Sequence, residues 1–166
     1  SKYLRGVTYG NGLFVTVGRG TIITSTDGTY WTERDSGTSE YLRGVTYGNG
    51  LFVTVGYSGT ILTSTDGTTW IPRNSGTSEY LKGVTYGKGL FVVVGEDGII
   101  FTSSDGNSWT ERTSGTSEDL YDVTYGKGLF VVVGEDGTII TSPDEYFWTE
   151  RDSGTSGDLF GVTYSQ

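Results

Sequence analysis

Gly44-Val45-Thr46-Tyr47-Gly48-Asn49-Gly50-Leu51-Phe52-Val53-Thr54-Val55-Gly56-Tyr57-Ser58-Gly59-Thr60-Ile61-Leu62-Thr63-Ser64-Thr65-Asp66-Gly67-Thr68-Thr69-Trp70 is the stretch that decides the fold. Gly44-Val45-Thr46-Tyr47 is a short strand-forming run, and Gly48-Asn49-Gly50 supplies residues that tolerate the positive φ of a tight hairpin. Leu51-Phe52-Val53-Thr54-Val55 is mostly apolar on both faces, as a strand is when neighbouring sheets cover it on both sides. Gly56-Tyr57-Ser58-Gly59 turns the chain into Thr60-Ile61-Leu62-Thr63-Ser64. Asp66-Gly67 turns it again, into a short strand that starts near Trp70 and ends before Ser75-Gly76. No segment carries a 3.6-residue apolar period, so helices are not expected.

The same stretch returns throughout the chain. Trp31, Trp70, Trp109 and Trp148 recur every 39 residues, as do Asp27, Asp66, Asp105 and Asp144. One deletion breaks the period, where Gly18-Arg19-Gly20 stands opposite Gly56-Tyr57-Ser58-Gly59. A period near forty residues filled with strands belongs to propeller blades or β-solenoids, and four antiparallel strands per period make a blade. The expected fold is therefore all-β, a β-propeller of four-stranded antiparallel blades forming a single unit over 1–166. The blades fall near 3–40, 41–79, 80–118 and 119–157, and 158–166 supplies the first strand of a fifth, incomplete blade.

Composition narrows the chemistry. The chain has no Cys and no His, which removes disulfides, thiolate metal sites and the commonest general base. A net charge of −9 argues against nucleic acid, which requires a basic face. No apolar run is long enough to span a membrane as a helix, and Ser1-Lys2-Tyr3 does not open a signal peptide. The compartment is left open, with an extracellular or cell-envelope setting favoured. No cofactor and no metal are expected.

Ser25-Thr26-Asp27-Gly28-Thr29-Tyr30-Trp31, Ser64-Thr65-Asp66-Gly67-Thr68-Thr69-Trp70 and Ser103-Ser104-Asp105-Gly106-Asn107-Ser108-Trp109 resemble the Asp-box, or bacterial neuraminidase repeat, with one residue fewer between Asp and Trp than the usual Ser-x-Asp-x-Gly-x-x-Trp. The neighbouring Gly-Leu-Phe-Val-x-Val-Gly and Gly-Thr-Ile-Ile-Thr-Ser runs are similar to bacterial propellers of the photosystem II assembly-factor type. The resemblance implies a structural role for Ser25, Asp27 and Trp31, for Ser64, Asp66 and Trp70, for Ser103, Asp105 and Trp109, and for Ser142, Asp144 and Trp148. It also implies that Gly-Val-Thr-Tyr is the innermost strand and Trp-Thr-Glu-Arg the outermost. It implies no activity, because enzymes and non-enzymes share the box. Physically, the Asp caps backbone N–H groups of its own turn, and the Trp packs.

No residues are expected to be catalytic, since four identical turns do not build one active site. Glu96-Asp97-Gly98 and Glu135-Asp136-Gly137 offer oxygens to a hard cation, but Arg19 and Tyr57-Ser58 hold the equivalent positions, so a turn is the better reading. Arg34, Arg73, Arg112 and Arg151 share one place on the outer strand, so symmetry spreads them around the rim instead of gathering them into a sialidase-like cluster. Surface pairing with Glu33, Glu111 and Glu150 accounts for them. Binding residues are sought where one copy departs from the others: Tyr57, Tyr121, Asp122, Tyr146 and Phe147. Aromatic rings beside carboxylates suit sugars, although loop drift also explains these departures.

The functional expectation is a non-catalytic binding or protein-interaction scaffold. The alternatives are a multivalent lectin, a sialidase-like glycoside hydrolase, and a recently amplified or engineered repeat protein without an evolved ligand. A glycan or a protein is the expected ligand class. A homo-oligomer is expected, a dimer closing an eight-bladed ring being favoured over a four-bladed monomer.

Overall fold

A computed structural model describes residues 3–166. Among the described residues sixteen strands form four antiparallel sheets in strict chain order. Blade 1 holds β1 (Leu4–Gly10), β2 (Leu13–Gly18), β3 (Thr21–Ser25) and β4 (Thr32–Arg34). Blade 2 holds β5 (Leu42–Gly48), β6 (Leu51–Gly56), β7 (Ile61–Ser64) and β8 (Ile71–Arg73). Blade 3 holds β9 (Leu81–Gly87), β10 (Leu90–Gly95), β11 (Ile100–Ser103) and β12 (Thr110–Arg112). Blade 4 holds β13 (Leu120–Gly126), β14 (Leu129–Gly134), β15 (Ile139–Ser142) and β16 (Thr149–Arg151). The first strands β1, β5, β9 and β13 pack side by side along the inside, and the three-residue fourth strands lie outermost. Pro72, which cannot donate to a ladder, sits on such an outer edge, where Pro is tolerated.

Local chemistry sets the register. Val45 pairs with Thr54 and Tyr47 with Phe52, and the hairpin between them turns at Asn49 (φ 49°) and Gly50 (φ 76°). Positive φ at both central residues is the type I′ signature, whose twist matches that of the flanking strands. Nothing crowds the Gly50 α-carbon, so a substitution there costs conformation and not space. Gly50→Val is expected to lose about 1–2 kcal/mol, the penalty for forcing a side chain into the left-handed region, measured as a lower urea midpoint.

Blades stack through two devices. The second strands are buried on both faces, and Phe52, Phe91 and Phe130 are fully covered, each at the centre of an inter-blade cluster. In blades 2 to 4 the tyrosine next to the end of the inner strand lies over a glycine of the blade before it: Tyr47 over Gly10, Tyr86 over Gly48, Tyr125 over Gly87. A Cβ at any of these glycines would enter the ring.

The row of blades is open. Val7 is 65% exposed, whereas its equivalents Val45, Val84 and Val123 are buried, and Trp31 is 41% exposed against 9% for Trp70. Blade 1 lacks the covering blade that each of the others has. At the other end, residues 158–164 run beside β13: Leu159 N–H donates to the Gly134 carbonyl at 2.9 Å and Tyr164 lies over Gly126. This segment takes the seat of a next inner strand but belongs to none of the four described sheets.

Candidate functional site

The strand directions give the molecule two unlike ends. One carries the β3–β4-type turns together with the inner hairpins. The other carries the inner-strand starts and the second turns of each blade.

At the first end, Ser64, Asp66 and Trp70 form a closed local network. Ser64 donates its hydroxyl to Asp66 Oδ1 at 3.1 Å and accepts the Gly67 N–H at 2.8 Å. Asp66 Oδ1 accepts the N–H groups of Thr68 and Thr69 at 2.8 and 3.0 Å. The Trp70 indole N–H donates to the Gly67 carbonyl at 3.1 Å. Gly67, with φ of 75°, aims that carbonyl. The turns at Asp27 and Asp105 repeat every one of these bonds. In all three, backbone N–H donors hold the carboxyl below its ordinary range, Thr69 and Thr68 doing so for Asp66. A depressed pKa stabilises the fold above the unfolded value near 3.8 and loses that contribution as pH falls toward the folded value. Asp66→Asn is therefore expected to flatten the acid limb of a stability–pH curve below pH 4, read by melting temperature, with the loss of stability greatest at neutral pH.

The fourth turn differs for one stereochemical reason. Glu145 stands where the others have glycine and does not adopt positive φ. Ser142 donates mainly to the Asp144 carbonyl, its approach to Asp144 Oδ1 lengthening to 3.5 Å, and Asp144 still caps Tyr146 and Phe147. The carbonyl that would meet Trp148 is no longer presented, and the buried Trp148 indole N–H has no partner. Glu145 turns across to blade 3, where Oε2 accepts from Arg112 Nη2 at 2.6 Å and from the Thr102 hydroxyl at 3.0 Å. The Tyr146 ring covers the Arg112 guanidinium at 5.0 Å. Burial opposes the Glu145 charge, but hydrogen bonds from Tyr146 and Thr102 and the Arg112 charge hold its carboxyl below the ordinary value.

At the second end, the residues before the inner-strand glycines surround a cavity of about 330 Å³ on the axial side of the blades. Arg5, Arg43, Lys82, Tyr121 and Phe160 occupy that position in successive repeats, and Asp122 lies beside them. Lys82 is committed: its ammonium meets Asp119 at 2.6 Å and Glu96 at 3.6 Å and lies over the Tyr121 ring. Arg5 and Arg43 have no carboxylate partner among the described residues. At the same end Tyr57 stacks on Tyr80 at 4.0 Å and meets Tyr41 at 5.1 Å in a tilted arrangement, with Arg19 over Tyr41.

The five residues singled out as binding candidates do not converge. Tyr57, Tyr121 and Asp122 lie at the end that carries this cavity, and Tyr146 and Phe147, both largely exposed, lie at the other. Tyr121 stacks on Phe160 at 5.1 Å, and Asp122 Oδ2 accepts the Val162 N–H at 2.9 Å, so this pair holds the terminal segment against blade 4. Burial raises the Asp122 carboxyl above its usual range, against the opposing bonds from Val162 and Val123. Glu96–Gly98 and Glu135–Gly137 form single 3₁₀ turns, with Asp97 and Asp136 N–H groups capped by Asp119 and Asp158. Among the described residues no cluster of acidic side chains has the spacing of a metal site. Arg112 pairs with Glu145 and not with Glu111. Sequence reasoning passed over Arg5 and Arg43 because a cation repeated in three blades reads as pattern.

Solved structures place this geometry. The chain is similar to YCF48 from Cyanidioschyzon merolae, with 17% identity and a TM-score of 0.71 over 90% of this chain and 56% of that one. It is similar to YCF48 bound to D1 peptide, with 19% identity and a TM-score of 0.66 over 92% and 53%. The WD40 propeller domain of Doa1 matches with 16% identity and a TM-score of 0.73 over 96% and 57%. The fold is a β-propeller. The chain spans little more than half the length of each of these structures. No family model matches it, and no curated protein does. No helix among the described residues is long and apolar enough to cross a membrane.

Proposed function

We propose that the chain is a non-catalytic interaction module that presents its channel-mouth end to a polypeptide segment bearing a carboxylate. One observation carries this reading: Arg5 and Arg43, unpaired in a chain of net charge −9, flank a cavity whose far wall is the Tyr121–Phe160 stack. Guanidinium pairs suit carboxylates, and the aromatic wall suits the apolar part of a peptide. The similarity to a propeller bound to a peptide supports the choice of polypeptide over sugar. A peptide array probed with the native chain and with Arg5→Glu/Arg43→Glu tests it. Peptides retained by the first and lost by the second are expected; equal retention by both contradicts it.

The module's working unit in this reading is two copies. Blade 1 exposes Val7, Tyr9 and Trp31, the residues whose equivalents are covered at the three internal blade contacts. Blade 4 of a second copy has the surface that does the covering, and a two-fold arrangement completes eight blades. Residues 159–164 already occupy the seat on blade 4 and match 4–9 except at Phe160, so strand exchange with β1 accompanies closure. The lectin and hydrolase readings have less support, because the candidate aromatics are split between the two ends. A glycan array and a fluorogenic sialoside assay are expected to be silent.

A further inference from the structure

The blade 3–blade 4 cleft is occupied by the chain's own carboxylate, and its two sister clefts are not. In blade 3, Thr102 accepts the Arg112 Nε–H at 2.9 Å and gives its hydroxyl proton to Glu145, which also takes Arg112 Nη2. Thr24 and Thr63 are likewise buried and accept the Nε–H of Arg34 and Arg73 at 3.0 and 2.9 Å. There the facing residue is Gly67 or Gly106, which has no side chain to offer. Among the described residues neither guanidinium has a carboxylate, and neither hydroxyl proton has an acceptor.

We propose that the Thr24–Arg34 and Thr63–Arg73 clefts are binding slots for an acidic residue followed by an aromatic one, supplied by a partner polypeptide in the way that Glu145 and Tyr146 fill the third cleft. The specificity follows from the filled copy. The carboxylate takes one charged N–H and one hydroxyl, each already oriented by the Thr–Arg bond. The aromatic ring covers the outer face of the guanidinium. The two slots lie in successive clefts at the end remote from Arg5 and Arg43, so a segment repeating the acidic–aromatic pair gains by engaging both.

Arginine Nε–H NMR signals of the native chain, titrated with acetyl-Asp-Glu-Tyr-Phe-amide, test the proposal. The Arg34 and Arg73 signals are expected to shift together while Arg112, whose slot is full, stays still. Acetyl-Asp-Gln-Tyr-Phe-amide is expected to leave all three in place. In Glu145→Gly, and in Glu145→Gln as a second variant, Arg112 is expected to join the responding set. Unmoved Arg34 and Arg73 signals overturn the proposal, as do equal responses to the Gln peptide or an Arg112 response in the native chain. Shifts confined to Arg5 and Arg43 report the channel mouth and count against the clefts.

Discussion

Trp70→Ala is expected to be among the most damaging single changes in the chain, lowering stability by about 3–5 kcal/mol. The ring is 9% exposed, sits in the blade 1–blade 2 cluster 6.3 Å from Phe52, and satisfies its N–H on the Gly67 carbonyl. Truncation leaves a cavity between two sheets and an unpaired carbonyl in a turn that the Asp66 bonds hold rigid. Trp31→Ala removes the same residue from the same repeat position but is expected to cost much less, because the Trp31 ring is 41% exposed on the open face. Urea denaturation of the pair checks this. Equal losses would show that the tryptophan works through its own turn and not through the neighbouring blade.

Gly87→Ala is expected to cost about 1–3 kcal/mol, the range for overpacking a filled site. Its added methyl enters the Tyr125 ring, which is held from the other side by Phe130 at 4.8 Å. Gly126→Ala makes the same collision with Tyr164. Tyr164 belongs to the terminal segment and is 41% exposed, so it can move away, and the variant is expected to stay near native stability. Thermal melts of the two variants separate the cases.

Much of the fold was legible because repetition averages out local ambiguity. One Gly-Asn-Gly is a weak turn signal, but two of these and two Gly-Lys-Gly turns in phase, each between similar apolar runs, admit one arrangement of strands. The second strand, apolar on both faces at Phe52, Val53 and Val55, marked itself as sandwiched before any sheet was placed. The Ser–Asp–Gly–Trp turn was legible for the same reason, since its bonds close within seven residues of chain, Ser64 to Trp70.

The site residues were harder, because their meaning lies between blades. Glu145 is marked as a departure by its place alone: a turn that requires positive φ has lost its glycine, so its carbonyl must swing away from Trp148. That its side chain reaches Arg112, 33 positions earlier, has no local signal. Asp122 looked like a ligand-binding departure from a glycine. In the structure it accepts the Val162 N–H, a contact set by how the terminal segment folds back onto β13. Arg5 and Arg43 were hidden by their own regularity, and only the cavity they share with Tyr121 and Phe160 distinguishes them.

The open face of blade 1 links the fold to the proposed function, since the channel mouth is a complete ring only when that face is covered. Light scattering on the native chain at micromolar concentration is the direct test. A mass near twice 17.9 kDa is the expected result. A monomer mass accompanied by a cooperative melt would contradict it.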